Sequence, residues 1–239
     1  MEVVVTDHHQ CPPVLPECEA IVDPAMEGAY PFPYLCGAGV VFKLVQAIGG
    51  LDAAMAYVAI AAIATVAAIV DLTGENRLLA SAGLKRLRAG QANLGALALV
   101  EEAGLERQKL ESSHIAFGLA PRINAAGRLG CAQDSLLLFL TEEEKEARSL
   151  ARKLDKENQN RQAIERKILE EAEAKLAGGE GNPARQQAIL LAEEGWESGV
   201  IGIVASRLAK RYHRPVLLFA GAGEDWTASG RSVEGVNLF

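Results

Sequence analysis

The sequence predicts an α/β protein built in two parts that are joined by one long helix. Three observations predict it. Two short β-branched runs, 2–6 and 20–22, read as strands and are followed by a series of helical patterns. One charged segment, 141–177, keeps a helical repeat throughout. After a break at 178–183 the pattern becomes strand, helix, strand, strand, which is the signature of a small separate α/β unit.

Each element has a local cause. Glu2-Val3-Val4-Val5-Thr6 is a strand, and Ala20-Ile21-Val22 is a second that stops at Asp23-Pro24. Pro12, Pro13 and Pro16 make the connection between them a loop. A second loop, Tyr30-Pro31-Phe32-Pro33-Tyr34, leads through Cys36-Gly37-Ala38-Gly39 into a helix over 40–48 that Gly49-Gly50 stops. Helical patterns follow at about 52–69, 76–89 and 93–103, with Thr73-Gly74-Glu75-Asn76 as a turn and helix start. Pro121, Gly127 and Gly130 break the periodicity of 119–130 and predict a loop. Thr141 and Glu144 form a capping-box pattern that opens the long helix, which is roughly 35 residues or ~50 Å long. Its apolar stripe (Ala147, Leu150, Ala151, Leu154, Ile164, Ile168, Ala172, Leu176) is interrupted midway. The later elements fall at 187–192, 199–211 and 215–220, with a last strand ending near Ser229.

Composition narrows the function. The chain has 239 residues, is 49% hydrophobic and 23% charged, and carries a formal charge of −7. It has no global basic footprint, so any nucleic-acid binding must rest on a local patch. Cys11, Cys18, Cys36 and Cys131 show no CxxC spacing, which fits a reducing, cytoplasmic setting. The apolar run 53–70 reaches the length of a membrane span, but it is mostly alanine and lies between Asp52 and Asp71, so it reads as a buried helix. No membrane partner is expected.

Four segments can carry chemistry. Asp7-His8-His9 follows a strand directly, and ligands of open α/β sheets bind at the carboxyl ends of strands. One carboxylate beside two imidazoles suits Mn, Mg, Zn or Fe; the alternative is a solvated strand-end loop. A rival metal reading groups His8, His9, Cys11 and Cys18 around zinc. Arg122, Asn124 and Arg128, in Pro121-Arg-Ile-Asn-Ala-Ala-Gly-Arg128, offer two guanidiniums suited to phosphate oxygens, or else serve as structural salt-bridge donors. Gly195 to Arg207 places a Gly-rich turn at a helix start, either an anion site or a close packing contact. Ser229-Gly230-Arg231-Ser232 at a strand end offers hydroxyls, open backbone and a guanidinium to a terminal phosphate, or is a polar turn.

In this order the segments resemble the RecJ family of DHH phosphoesterases. The resemblance also takes in Gly37-Ala-Gly-Val-Val-Phe-Lys-Leu44 and Leu72-Thr-Gly-Glu-Asn-Arg77, and it covers nearly the whole chain. It implies a 5′→3′ exonuclease for single-stranded DNA that uses Mn or Mg in a two-metal site. It also implies a division into 1–140, the C-terminal part of a Rossmann-like DHH lobe; 141–177, an interlobe helix; and 178–239, an incomplete DHH-associated lobe. Asp7 and His8 would ligate metal, and His9 would lie near the scissile phosphate. Arg207, Ser229, Gly230, Arg231 and Ser232 would hold the strand or its 5′ end, and Arg122, Asn124 and Arg128 would line the groove between the lobes. The implied partners are single-stranded DNA and other replication and repair proteins.

Three departures from the pattern bear on activity. The aspartate-rich motifs that precede the triplet in the family are not in this sequence. Ala68 stands where the family has an aspartate ligand, and Asp71, three residues on, falls near the same face if the helix continues. Glu197 stands where the family has a histidine after Gly-Trp. An incomplete two-metal centre is therefore expected in the isolated chain. A degenerate single-strand-binding or scaffold module is the alternative reading, and a small-nucleotide phosphodiesterase of the same superfamily is a weaker one.

Overall fold

The protein is described by a computed structural model, which covers residues 2–28, 30–130, 132–180 and 186–238. The chain divides into two compact units. One is Met1–Asn124 with Ala132–Asp155, and the other is Ala125–Cys131 with Lys156–Phe239.

The first unit opens with β1 (Val4–Thr6) and β2 (Ala20–Val22), which pair in parallel with Thr6 opposite Val22. The backbone N–H of Asp7 donates to Val22 O at 3.1 Å, so the pairing extends into the metal-type triplet. Helix α1 (Gly37–Met55) is interrupted at Gly50 (φ 82°), at the expected Gly49-Gly50 stop. The helix expected over 52–69 is split at Ala56-Tyr57, and α2 (Val58–Ala67) carries its second half. Ala59, Ala61, Ala62 and Ile63 of α2 are buried, in keeping with the core reading of the alanine-rich run. By length and composition Gly37–Met55 is apolar enough to cross a membrane, although Gly50 breaks its helical backbone. Helices α3 (Gly74–Ala89) and α4 (Leu94–Glu102) follow as expected, and Leu35, Val40, Phe42, Ala54, Val58, Ala61 and Leu79 form a core.

The segment 119–130 is not a loop. A short turn α5 (Ser112–His114) runs into a π-helical turn over Ile115–Leu119 and then α6 (Ala120–Leu129). The Ala120 N–H donates to Ile115 O, five residues back. Pro121, which lacks an N–H, is accommodated just after this wider turn. Helix α7 (Gln133–Leu140), which sequence patterning did not mark, precedes the long helix α8 (Glu144–Ala177). The expected Thr141/Glu144 box is replaced by another cap, in which the Thr141 hydroxyl accepts from the Glu143 N–H at 3.1 Å and donates to Glu146.

The second unit is a three-stranded sheet. Strand β3 (Ile189–Glu194) lies parallel to β4 (Val216–Ala222), and β5 (Asp225–Arg231) pairs antiparallel to β4 with Ser229 opposite Leu218. Helix α9 (Ser198–Tyr212) crosses over between β3 and β4. Ile168, Ala172 and Leu176 of α8 join Val200, Ile201, Val204 and Leu208 of α9 and the inward faces of β3 and β4 in one core. Trp196 is buried at its edge and donates Nε1–H to Glu171 at 2.8 Å.

Candidate functional site

The triplet stands where β1 ends, beside the start of α1. Asp7 Oδ1 accepts from the His8 N–H at 2.7 Å, the His9 N–H at 3.3 Å and the His9 ring Nδ1 at 2.6 Å. Foremost the His8 backbone bond, and then the His9 ring, hold the Asp7 carboxyl below the usual carboxylate range. An ionised carboxylate can only accept, so the His9 ring donates from Nδ1, which leaves Nε2 on the side of the ring away from Asp7. The two imidazole centroids are 4.2 Å apart. The His8 ring lies 3.4 Å from where a Cβ on Gly37 would stand, which sets that ring against the first turn of α1.

One ligand atom from each of Asp7, His8 and His9 falls within 4.8 Å of the others. Among the described residues this is the one such group found, and it contains no cysteine. The zinc alternative is therefore corrected. Cys11 Sγ turns to Asp23 Oδ2 at 3.5 Å, its thiol pushed up mainly by burial, and Cys18 Sγ turns to Ala20 O. Asp71 does not join the group either. Helix α2 ends with Ala68 as its cap and Ile69 takes φ 58°, so the helical rotation that would bring Asp71 round never applies. Its carbonyl instead anchors Thr73 N and the buried Asn76. Mn or Mg takes carboxylate oxygen and accepts imidazole, so the donor set fits one such ion in part. Two octahedral ions need about ten to twelve donors, more than three side chains supply.

In the second unit, the polar residues of β5 lie against α9. A Cβ on Gly202 would stand 2.7 Å from Ser229 Oγ and 3.1 Å from Arg231 Nη2, so the missing side chain admits both. Arg231 donates from Nε to Ser206 Oγ at 2.9 Å and from Nη1 to Gly230 O at 2.6 Å. Ser232 Oγ turns back to the Val233 and Val236 carbonyls. Arg207 is 56% exposed, with Nη2 2.7 Å from Glu165 Oε1. Arg128 donates to Gly199 O at 3.0 Å, and a Cβ on Gly199 would stand 2.3 Å from Arg128 O.

The chain is 40% identical over 242 residues to the single-stranded-DNA-specific exonuclease RecJ of Bacillus subtilis, covering 100% of this chain and 30% of that protein. It is 37% identical to RecJ of Escherichia coli, covering 99% of this chain and 44% of that protein. The crystal structure of Thermus thermophilus RecJ in complex with Mn2+ superposes with a TM-score of 0.85 at 35% identity, covering 98% of this chain and 34% of that one. The chain is a RecJ homologue. A second RecJ structure, bound to manganese, gives a TM-score of 0.83 at 35% identity over 99% of this chain and 58% of that one. No protein-family model matches. The chain spans less than half the length of these two curated RecJ relatives.

Two positions differ from what the resemblance to RecJ implied. Arg122 does not stand open to a strand. Its Nε and Nη2 both bind Asp155 Oδ1 at 2.8 Å, its Nη1 donates to Gly118 O, and the pair is only 17% and 14% exposed. It ties α6 to α8. Glu197 is exposed at the N-cap of α9, where the helix dipole favours its charge and a phosphate would meet repulsion. Asn124 is exposed on α6. Sequence reasoning missed Asn158, Arg161 and Glu165. Their signal is the gap in the apolar stripe of α8, at spacings that keep to the buried face.

Proposed function

We propose that this chain supplies part of a RecJ-type 5′→3′ exonuclease for single-stranded DNA that works in DNA repair and recombination in the cytoplasm. The observation that carries the reading is the Asp7-His8-His9 cluster at the end of β1 in a chain homologous to RecJ along its whole length. Asp7 and His8 hold the ion. When bound, Mn or Mg supplies charge neutralisation and a polarised water. Asp7 fixes the His9 ring so that Nε2 faces away from the carboxylate, toward the place of a phosphate. Arg128, Arg207, Ser229, Gly230, Arg231 and Ser232 take the sugar–phosphate backbone, and Asn124, exposed on α6, offers a further amide to it. Three protein donors fall short of two ions, so the chain alone binds metal and strand but is not expected to cut.

The test uses the whole 239-residue chain. Titration calorimetry with MnCl2 should show binding that Asp7→Ala abolishes. Affinity for an oligothymidylate should fall with salt, at a log–log slope of about −0.7 for each phosphate contacted. Affinity that is flat against salt, or Mn binding unchanged by Asp7→Ala, sinks the reading. Ala68 and Glu197 favour a second reading, a strand-binding module without hydrolysis. Joining the chain to an aspartate-rich RecJ amino-terminal segment separates the two: nucleotide release selects the enzyme, and retained binding without release selects the module.

A further inference from the structure

The buried face of α8 runs Ala147, Ala151, Leu154, Asn158, Arg161, Glu165, Ile168, Ala172, Leu176, at spacings of three or four. Eight of these nine positions are no more than 5% exposed, and Arg161 is 9% exposed. Its centre is polar where its two ends are apolar. Burying three consecutive polar positions on such a seam costs desolvation that leucine or alanine would avoid. The neighbours suggest what the polar centre does.

Arg161 is fully engaged inside the seam. Its Nε and Nη2 donate to Asn158 Oδ1 at 3.2 and 2.9 Å, and its Nη1 donates to Glu165. Glu165, with its side chain 4% exposed, presents its other oxygen to Arg207 on α9. The series holds two guanidiniums and one carboxylate, so one positive charge is left over. It falls on Arg207, because Arg161 is enclosed while Arg207 is more than half exposed. Glu165 holds one end of the Arg207 guanidinium by a single ion-pair contact and leaves its other donors open.

We infer that Glu165 is a positioning residue that anchors the Arg207 guanidinium at one end for the phosphate backbone, with Asn158 and Arg161 holding Glu165 in turn. The inference rests on the strand-binding reading of Arg207 above. It gives the polar interruption of α8 a purpose that packing lacks, because a pre-ordered arginine loses less side-chain freedom when phosphate arrives.

A double-mutant cycle on the whole chain tests it, read by fluorescence anisotropy of a 5′-phosphorylated, labelled oligothymidylate. Arg207→Ala should weaken binding about tenfold. Glu165→Gln should weaken it at least about threefold in the wild-type background and not at all in the Arg207→Ala background, because one route is removed twice. Equal losses in both backgrounds would mean a general structural effect and overturn the inference alone. So would tighter binding by Glu165→Gln, which would mean that Glu165 competes with phosphate. Unchanged affinity in Arg207→Ala refutes the strand contact itself and takes the inference with it. Should Glu165→Gln fail to fold with Arg161 left unpaired, the pair Arg161→Met/Glu165→Gln removes both buried charges, and the same loss is expected.

Discussion

Gly199→Ala is the sharpest probe of the second unit. The added Cβ would stand 2.3 Å from Arg128 O, 3.1 Å from its carbonyl carbon and 3.2 Å from its Cα. Comfortable contact begins at about 3.5 Å, so two backbones must part by roughly 1 Å. Neither can yield by a rotamer change, which puts the cost at the upper end of overpacking, about 2–3 kcal/mol. The Arg128 bond to Gly199 O, now 3.0 Å, stretches with the same movement. For a chain of this size Tm falls by ~2–4 °C per kcal/mol, so calorimetry should record a drop of about 5–10 °C. Gly202→Ala is the control. Its nearest neighbours are the side-chain ends of Ser229 and Arg231, which can swing away, and it should cost about 1 kcal/mol or less. If Gly199→Ala melts within about 1 °C of the wild type, or if the two variants melt together, the close approach of α6 to α9 is refuted.

Three further expectations follow. Asp155→Ala strands the enclosed Arg122 guanidinium and should cost about 3 kcal/mol in urea unfolding at unchanged m; a loss below ~1 kcal/mol would show the pair to be solvated. Glu197→His removes a carboxylate from the start of α9 and should raise oligothymidylate affinity a few-fold at low salt, with the gain fading as salt rises; equal affinities would place Glu197 away from the strand. Lys175 is raised above the ordinary lysine value, chiefly by its bond to Glu193 at 2.9 Å and also by Glu180. Its contribution, under about 1 kcal/mol because both carboxylate partners are solvent-exposed, is complete below the unfolded lysine pKa and is lost as pH rises through the folded one; Lys175→Met should flatten that alkaline limb of stability.

The sequence was most readable where local chemistry and tertiary structure agree. The strand–helix–strand–strand order of the second unit follows from β-branched runs and Gly breaks, and it appears within a few residues of its expected bounds. The Asp7-His8-His9 cluster was legible because three ligands adjacent in sequence at a strand end need no long-range contact to meet. Segment 119–130 was misread because Pro121 and Gly127 count against a helix on propensity, whereas a π turn ahead of the proline removes its penalty. Arg122 looked like a ligand for phosphate because its partner, Asp155, lies 33 positions away on another helix. The polar centre of α8 was read as a gap, because period alone cannot separate a buried ion series from a solvated face.

The π turn at Ile115–Leu119 also acts as a phase setter. An α-helix advances 100° per residue, so one extra residue taken up in a wide turn rotates everything beyond it by about that angle relative to a regular continuation. Arg122 faces Asp155, and Arg128 meets Gly199, in the rotated frame. Phe117, 83% exposed in the middle of the turn, has no packing role that would explain its presence. What it contributes is a count: deleting it would close the helix into regular turns and rotate Arg122 away from Asp155 and Arg128 away from Gly199, without removing any of these residues.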